Sequence, residues 1–233
     1  MRICRSIDSY SYLCYENDTI SNSLSRYGIW EHDLIRRAQT YLHSDSVILD
    51  IGANIGTWSI PLAIHQRKVY AFEPYDSSFY ALCGNIFMNQ KSNIFPYHMA
   101  LLDDPTKKTK LFLPEKINIG GCKLLETSET IPHRYTLATL DSLQFDRVDL
   151  IKLDVEGQEL NVLKGGIQTI TQFKPIIFFE CWNINSPHWN HIPNTYHELM
   201  EFITSLGYTI HPLEDDNYEA IPLEQGKTVS CYK

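Results

Sequence analysis

Val47-Ile48-Leu49-Asp50-Ile51-Gly52-Ala53-Asn54-Ile55-Gly56 is the stretch that decides the fold of this chain. Val47, Ile48, Leu49 and Ile51 form a short apolar run rich in β-branched residues, which predicts a strand buried on both faces. Gly52 and Gly56 let the backbone turn sharply and approach a ligand closely. From Thr57 the apolar spacing becomes helical. Strand, glycine-bearing turn and helix together make a ligand cradle at the carboxyl end of a parallel strand.

The ligand follows from the acids around that cradle. A dinucleotide loop reads G-x-G-x-x-G, whereas Asn54 stands where its second glycine belongs. Asp50, at the strand end, repels phosphates and attracts an ammonium group. The next strand, Val69-Tyr70-Ala71-Phe72-Glu73, ends in an acid 17 residues after Gly56. An acid in that place accepts hydrogen bonds from both ribose hydroxyls. An adenosine carrying an amino-acid tail satisfies both carboxylates, and that ligand is S-adenosylmethionine.

Three blocks extend this reading: 49–56, then Ala71-Phe72-Glu73-Pro74, then Ile151-Lys152-Leu153-Asp154-Val155-Glu156-Gly157. In order and spacing they resemble the signature blocks of FkbM-type S-adenosylmethionine-dependent methyltransferases, over about residues 18–180. The resemblance implies a Rossmann-like class I methyltransferase fold and a hydroxyl acceptor, often on a glycan, glycolipid or macrolide-like product. It implies cofactor contacts from Asp50, Gly52, Ala53, Asn54, Gly56, Glu73, Pro74 and Asp154. It adds Ala100 and Leu101 as an adenine-side loop. Asp18, Ile20, Gly28, Trp30 and Glu31 resemble the family's lead-in, which either caps the sheet or brings Glu31 to the cofactor tail or the acceptor.

Composition sets the bounds. A chain of 233 residues accommodates one α/β domain with a full core. A formal charge of −8 without a long basic run disfavours nucleic acid as partner. Lys107, Lys108 and Lys110 read as a solvated hairpin. None of the six cysteines forms a C-x-x-C pair. Cys83 and Cys181 fall in apolar patterns as buried thiols, consistent with a reducing, cytoplasmic setting. No window carries 18 apolar residues and the start lacks an apolar signal core, so neither a membrane span nor a signal peptide is expected. The oligomeric state stays open.

Taken in order, residues 1–45 read as a cap segment, with a short hairpin near Asn17-Asp18, and a helix carrying Leu34, Ile35, Ala38, Tyr41 and Leu42. The charged face of that helix, Arg36 and Arg37, is expected to be solvated. Asp76 caps a helix burying Phe79, Leu82, Cys83, Ile86 and Phe87, with Asn85 and Asn89 outward. A third strand is expected near 94–99. Residues 104–140 break the βα alternation and form an insertion near the acceptor site. Strands follow at 148–154 and 175–180, with a helical region broken at Gly165-Gly166 between them. Thr195 and Glu198 form a capping box for a helix ending at Gly207. Residues 208–211 and 227–232 supply the last strands. The whole predicts a seven-strand doubly wound α/β sheet, mostly parallel, with an antiparallel strand at the carboxyl end.

The chemistry expected of such a site is proton management. Methyl transfer from a sulfonium already has a good leaving group, so the protein positions the acceptor and removes its proton. Lys152, Asp154 and Glu156 alternate at one strand end and share a side there, and Glu180 ends the neighbouring strand. In one mechanism Asp154 or Glu180 is the general base and Lys152 tunes or holds it. In the other, Asp154, Glu180 and Glu156 bind a divalent cation such as Mg²⁺ that lowers the hydroxyl pKa. His188 or His191 is an alternative base, and Trp182 and Trp189 can stack on a sugar. The expected activity is O-methylation of a small-molecule or glycan acceptor. The alternatives are a non-catalytic partner subunit that binds S-adenosylmethionine and a nicotinamide oxidoreductase. Replacing Glu73 by alanine is expected to abolish cofactor binding with little loss of stability.

Overall fold

The structure, a computed structural model, describes residues 1–16, 18–113, 119–182 and 196–223. It opens with a hairpin of β1 (Arg2–Arg5) and β2 (Ser11–Cys14), followed by helices α1 (Thr19–Tyr27) and α2 (His32–Gln39). The βα units come next: β3 (Val47–Ile51), α3 (Ser59–Leu62), β4 (Lys68–Phe72), α4 (Asp76–Met88) and β5 (Ile94–Tyr97). Short strands β6 (Met99–Leu101), β7 (Thr109–Phe112), β8 (Lys123–Glu126) and β9 (Thr136–Ala138) lead into β10 (Leu150–Leu153). Helices α5 (Glu159–Lys164) and α6 (Ile167–Phe173), β11 (Ile176–Glu180), α7 (Tyr196–Ser205), β12 (Tyr208–Pro212) and β13 (Asn217–Pro222) complete it.

Seven strands form the main sheet in the order β12-β13-β11-β10-β3-β4-β5. β13 alone runs against the direction of the other six strands there. The chain winds outward from β3 to β5, then returns to β10 on the other side of β3. The junction between β3 and β10 is therefore the switch point, where open α/β sheets hold their ligands.

Alternation along the strands divides the core in two. Ile48, Val69, Leu150, Ile176 and Phe178 pack toward α2, α3, α4 and the N-terminal hairpin. Leu49, Ile51, Ile151, Leu153, Ile177 and Phe179 pack on the opposite face, with residues of α5, α6 and α7. A sheet apolar on both faces needs a helical layer on each, which is the doubly wound solution.

Several expectations need correcting. Asn85 is fully buried and Asn89 also points inward. The Asn85 carbonyl oxygen accepts from Leu13 N at 2.7 Å and its amide donates to Ile55 O at 2.7 Å. Asn89 accepts from Ser11 N and donates to Ser11 O. These amides complete backbone bonds of β2 that no strand satisfies on that edge. The helix is turned accordingly, and Phe87 is 84% exposed. Asp76 is the first residue of α4 rather than its cap. Cys83 is half-buried, whereas Cys181 is buried. The N-terminal hairpin turns between Arg5 and Ser11, and Asp18 instead caps α1 by accepting from Ser21 N. Lys107 pairs with Asp103 and Glu126 at the base of the β7–β8 hairpin. The last strand of the sheet is β13; residues 227–232 lie outside the described residues, as does Thr195 of the expected capping box.

Arg37 is not simply solvated. It makes a two-point ion pair with the fully buried carboxylate of Glu219 on β13, which Tyr41 also approaches at 3.2 Å. Arg37→Met strands that buried charge, and breaking one side of such a pair costs about 3 kcal/mol. The melting temperature should fall by about 6–12 °C, and Arg37→Met/Glu219→Gln should recover most of it. A single variant melting like the wild type would show that the pair contributes nothing.

Candidate active site

At the carboxyl ends of β3, β4 and β10 a cavity of about 610 Å³, its open mouth included, is lined by seventeen residues. Its floor is the turn after β3. Gly52 N and Ala53 N both donate to Phe72 O, so the turn is bound to the end of β4. Gly52 has φ +80°, and a Cβ there would lie 1.8 Å from Asp154 O. Only glycine permits β3 and β10 to come this close at their ends. Gly56 has φ +92°, and a Cβ there would meet Leu82 Cδ1 at 2.7 Å. Both glycines thus serve close approach as well as turning.

Glu73, just past β4, forms the second wall. Its Oε2 accepts from Asn54 N at 2.8 Å and its Oε1 from Tyr75 N at 2.8 Å. A carboxylate has about four lone-pair sites, so each oxygen keeps one for a ligand. Burial pushes Glu73 up to about 7, against the pull of the two backbone amides.

Beneath the turn lies a charged row. Lys152 and Asp50 are direct register partners on β10 and β3. The Lys152 ammonium donates to Gly52 O at 2.7 Å and faces Asp154 at 3.4 Å and Asp50 at 3.7 Å. Burial pulls this ammonium down, but Asp154, Asp50 and Glu31 outweigh it and hold it above the ordinary lysine value. Asp50 is fully buried and takes a short hydrogen bond from Ser59 Oγ. Desolvation raises it, and its Oδ1 has no hydrogen-bond partner. Asp50 therefore acts on the cavity through Lys152, not by lining it. Glu31 closes the same region from the segment before α2, accepting from Trp58 Nε1 at 2.5 Å, with burial raising it.

The third wall is the connection from β10 to α5. Asp154 and Glu156 line the cavity. The expected alternation stops at Asp154, because Glu156 has φ +56° and Gly157 φ +97°. Glu156 and Glu180 are both held above the ordinary carboxyl range, first by burial and then by the negative field of Asp154. Glu180 accepts from Trp182 Nε1 at 2.9 Å. The Lys123 ammonium sits 4.7 Å over the Trp182 ring, a distance at which cation and ring attract.

The cavity brings together Gly52, Asn54, Glu73, Pro74, Ala100, Leu101, Asp154 and Glu156. Glu31, Asp50, Ala53, Gly56, Lys152 and Glu180 support it without lining it. Among the described residues no three acid, His or Cys side chains are grouped to hold a metal ion. His188, His191 and Trp189 lie outside the described residues. Among them, too, no helix is long and apolar enough to cross a membrane.

Sequence reading placed an insertion near the acceptor site without naming the residues that line the cavity. Leu111, Gly120, Cys122 and Leu124, from the β7–β8 hairpin and the turn before β8, line the cavity with Glu73, Met99 and Ala100, and Leu111 and Leu124 pack with Ala100. The insertion thus covers the end of the cavity nearest β4. Its sequence carries no motif; the alternation of Leu111 inward with Phe112 outward was the available signal. Ser59, Trp58 and Glu159 were missed as well, each a polar partner of a residue already singled out, as was Gln158, which lines the cavity.

The chain matches the Methyltransferase FkbM domain over residues 50–210. It is 31% identical over 137 residues to the hexuronic acid methyltransferase AglP of Haloferax volcanii, covering 58% of this chain and 56% of that protein. The chain thus spans little more than half the length of this relative. It is 24% identical over 183 residues to Methyltransferase 1 of Beauveria bassiana, covering 67% of this chain and 66% of that one. Among solved structures, the methyltransferase FkbM from Methylobacillus flagellatus KT shares the fold with a TM-score of 0.52. Identity there is 21%, over 78% of this chain and 45% of that chain. Magnesium protoporphyrin IX methyltransferase from Synechocystis, solved with S-adenosylmethionine bound, overlays with a TM-score of 0.50 at 11% identity, over 82% of this chain and 77% of that one. With the family match extending over more than half of its length and the sheet order, glycine turn and acid-ended β4 in place, the chain belongs to the FkbM methyltransferase family.

Proposed function

We propose that the chain is an S-adenosylmethionine-dependent O-methyltransferase acting on a sugar hydroxyl of a glycan or other small-molecule acceptor. The observation that carries the cofactor is Glu73: a buried carboxylate aimed at the cavity, pinned by two backbone amides, with one acceptor site spare on each oxygen. That is the donor–acceptor match for a pair of ribose hydroxyls. Asp154 and, above about pH 7, Glu73 make the cavity wall acidic, which suits a cationic ligand and repels the diphosphate of a nicotinamide dinucleotide. Ala100 and Leu101 leave room beside Glu73 for a flat base.

S-adenosylmethionine supplies the electrophilic methyl group when bound. Gly52 and Asn54 cradle it from the turn, Glu73 holds the ribose, and Lys152 fixes the geometry of the turn through Gly52 O. Asp154 is the favoured base: it lines the cavity and its side chain is one-third exposed. Asp154 would take the proton of the acceptor hydroxyl as that oxygen accepts the methyl group the bound cofactor would supply. General-base help of this kind contributes ~10²–10⁴-fold. Glu180, held protonated by burial and by Asp154, is better suited to donating a hydrogen bond to the acceptor than to removing its proton. The name of the Haloferax relative supports a sugar acid among the acceptors to be tried.

The test is calorimetric titration of the chain with S-adenosylhomocysteine, with and without EDTA, then transfer of labelled methyl to hexuronic acids and neutral hexoses. Micromolar binding unaffected by EDTA, with label in an alkali-stable ether on a sugar, is expected. A folded chain that ignores S-adenosylhomocysteine and binds NAD overturns the proposal. Loss of transfer on chelation replaces the Asp154 base with the Mg²⁺-assisted mechanism.

A further inference from the structure

Glu159 takes no part in the mechanism above, yet it is 4% exposed and lies directly behind the cavity wall. The connection from β10 to α5 bends through two successive positive-φ residues, Glu156 and Gly157. A side-chain-bearing residue keeps that conformation only where its surroundings hold it. Glu159 is the holder. Glu159 Oε1 accepts from Val155 N at 3.1 Å and from Gly157 N at 3.1 Å, so one carboxylate oxygen bridges the amides on either side of Glu156. Neither amide belongs to a strand or helix ladder. The neighbouring Gln158 donates to Leu124 O at 3.0 Å and accepts from Asn161. The first turn of α5 therefore fastens both the acidic wall and the β8 side of the roof.

We propose that Glu159 is a positioning residue: its carboxylate binds the Val155 and Gly157 amides and so holds residues 154–157 in the bend that presents Asp154 and Glu156 to the cavity. The inference rests on the cofactor reading given above, because it takes the cavity to be the S-adenosylmethionine site. It demands an acceptor atom at the reach of a glutamate side chain. Glutamine keeps that atom, aspartate keeps the charge but falls one carbon short, and alanine keeps neither.

Two measurements on the full chain test it: backbone amide exchange at Val155 and Gly157, and affinity for S-adenosylhomocysteine. In Glu159→Ala both amides should exchange at least about tenfold faster and affinity should fall about tenfold, the effect of losing two hydrogen bonds to backbone amides. Glu159→Asp should behave in the same way. Glu159→Gln should stay within about threefold of wild type on both counts. Should the alanine variant fail to fold, the Asp and Gln pair decides the question. Unchanged amide exchange in Glu159→Asp or Glu159→Ala overturns the clamp. Faster exchange with unchanged affinity overturns its bearing on the cavity. A glutamine variant no better than aspartate overturns the acceptor-atom account. If the wild type itself binds no S-adenosylhomocysteine, the cofactor reading falls and the clamp with it as a device for that ligand; the amide exchange then reports only on the bend.

Discussion

Glu73→Ala should weaken S-adenosylhomocysteine binding by about 100-fold or more. Two hydrogen bonds to a charged, water-poor acceptor contribute on the order of 3–6 kcal/mol together, and 1.4 kcal/mol is a factor of ten. The variant also leaves Asn54 N and Tyr75 N without their partner. The sequence alone suggested little loss of stability. The structure revises this to a cost of about 1–3 kcal/mol, because those amides hold the turn. Thermal melting separates the two effects. Glu73 is raised to about 7 by burial, and ribose hydroxyls favour its ionised form. Affinity should therefore fall by up to about tenfold per pH unit as pH drops below about 7. Glu73→Gln should lose that dependence. Affinity of the alanine variant within about fivefold of wild type, measured by calorimetry at pH 8, would remove Glu73 from the ribose.

Lys152→Met should be the most destabilising single change at the site. The ammonium is buried between Asp50 and Asp154 and donates to Gly52 O. Without it, Asp50 keeps a fully buried carboxylate with Ser59 as its hydrogen-bond partner and one oxygen unmatched. Breaking a buried pair from one side costs about 3–5 kcal/mol. For a chain of this size that lowers the melting temperature by about 6–20 °C. Lys152→Met/Asp50→Asn should recover much of the loss, since the stranded charge is gone. The double variant separates stability from chemistry: refolded stability with absent methyl transfer would identify Lys152 as needed for the geometry around Asp154. A single variant as stable as wild type would mean that Asp50 is neutral in the fold.

The βα core was legible because its signals are local. Val47 to Gly56 carries its own strand, turn and helix start, and Glu73 declares itself by ending β4. The block around Asp154 also marked a buried strand, which the structure sets beside β3. What escaped were pairings between distant segments. Asn85 looks like a surface residue of α4 until β2 brings Leu13 N against it. Arg37 looks solvated until Glu219 arrives from β13. In β13 that same glutamate breaks the apolar run of Asn217–Pro222 and hides the strand from a pattern reading. The lining residues of the roof escaped for a different reason: Leu111 and Leu124 are apolar residues in a short hairpin, and only packing with Ala100 brings them to the cavity. Glu159 was visible in the letters, two residues after Gly157, but its role depends on the bend, which no periodicity encodes.

The sheet order imposes a sequence of events in time. β13 lies between β11 and β12, although it is the last of the three to leave the ribosome. Until residues 217–222 emerge, β11 has an open edge, β12 has no neighbour to pair with, and Arg37 waits for a partner 182 positions away. Closure of the sheet is thus a late, long-range step with a large loop-entropy cost. A nascent chain stalled before Asn217 presents the apolar strand Ile176–Glu180 as a ready template for pairing with other chains. A single late strand wedged between two earlier ones thus leaves β11 and β12 without the strand that joins them in any chain that ends before Asn217.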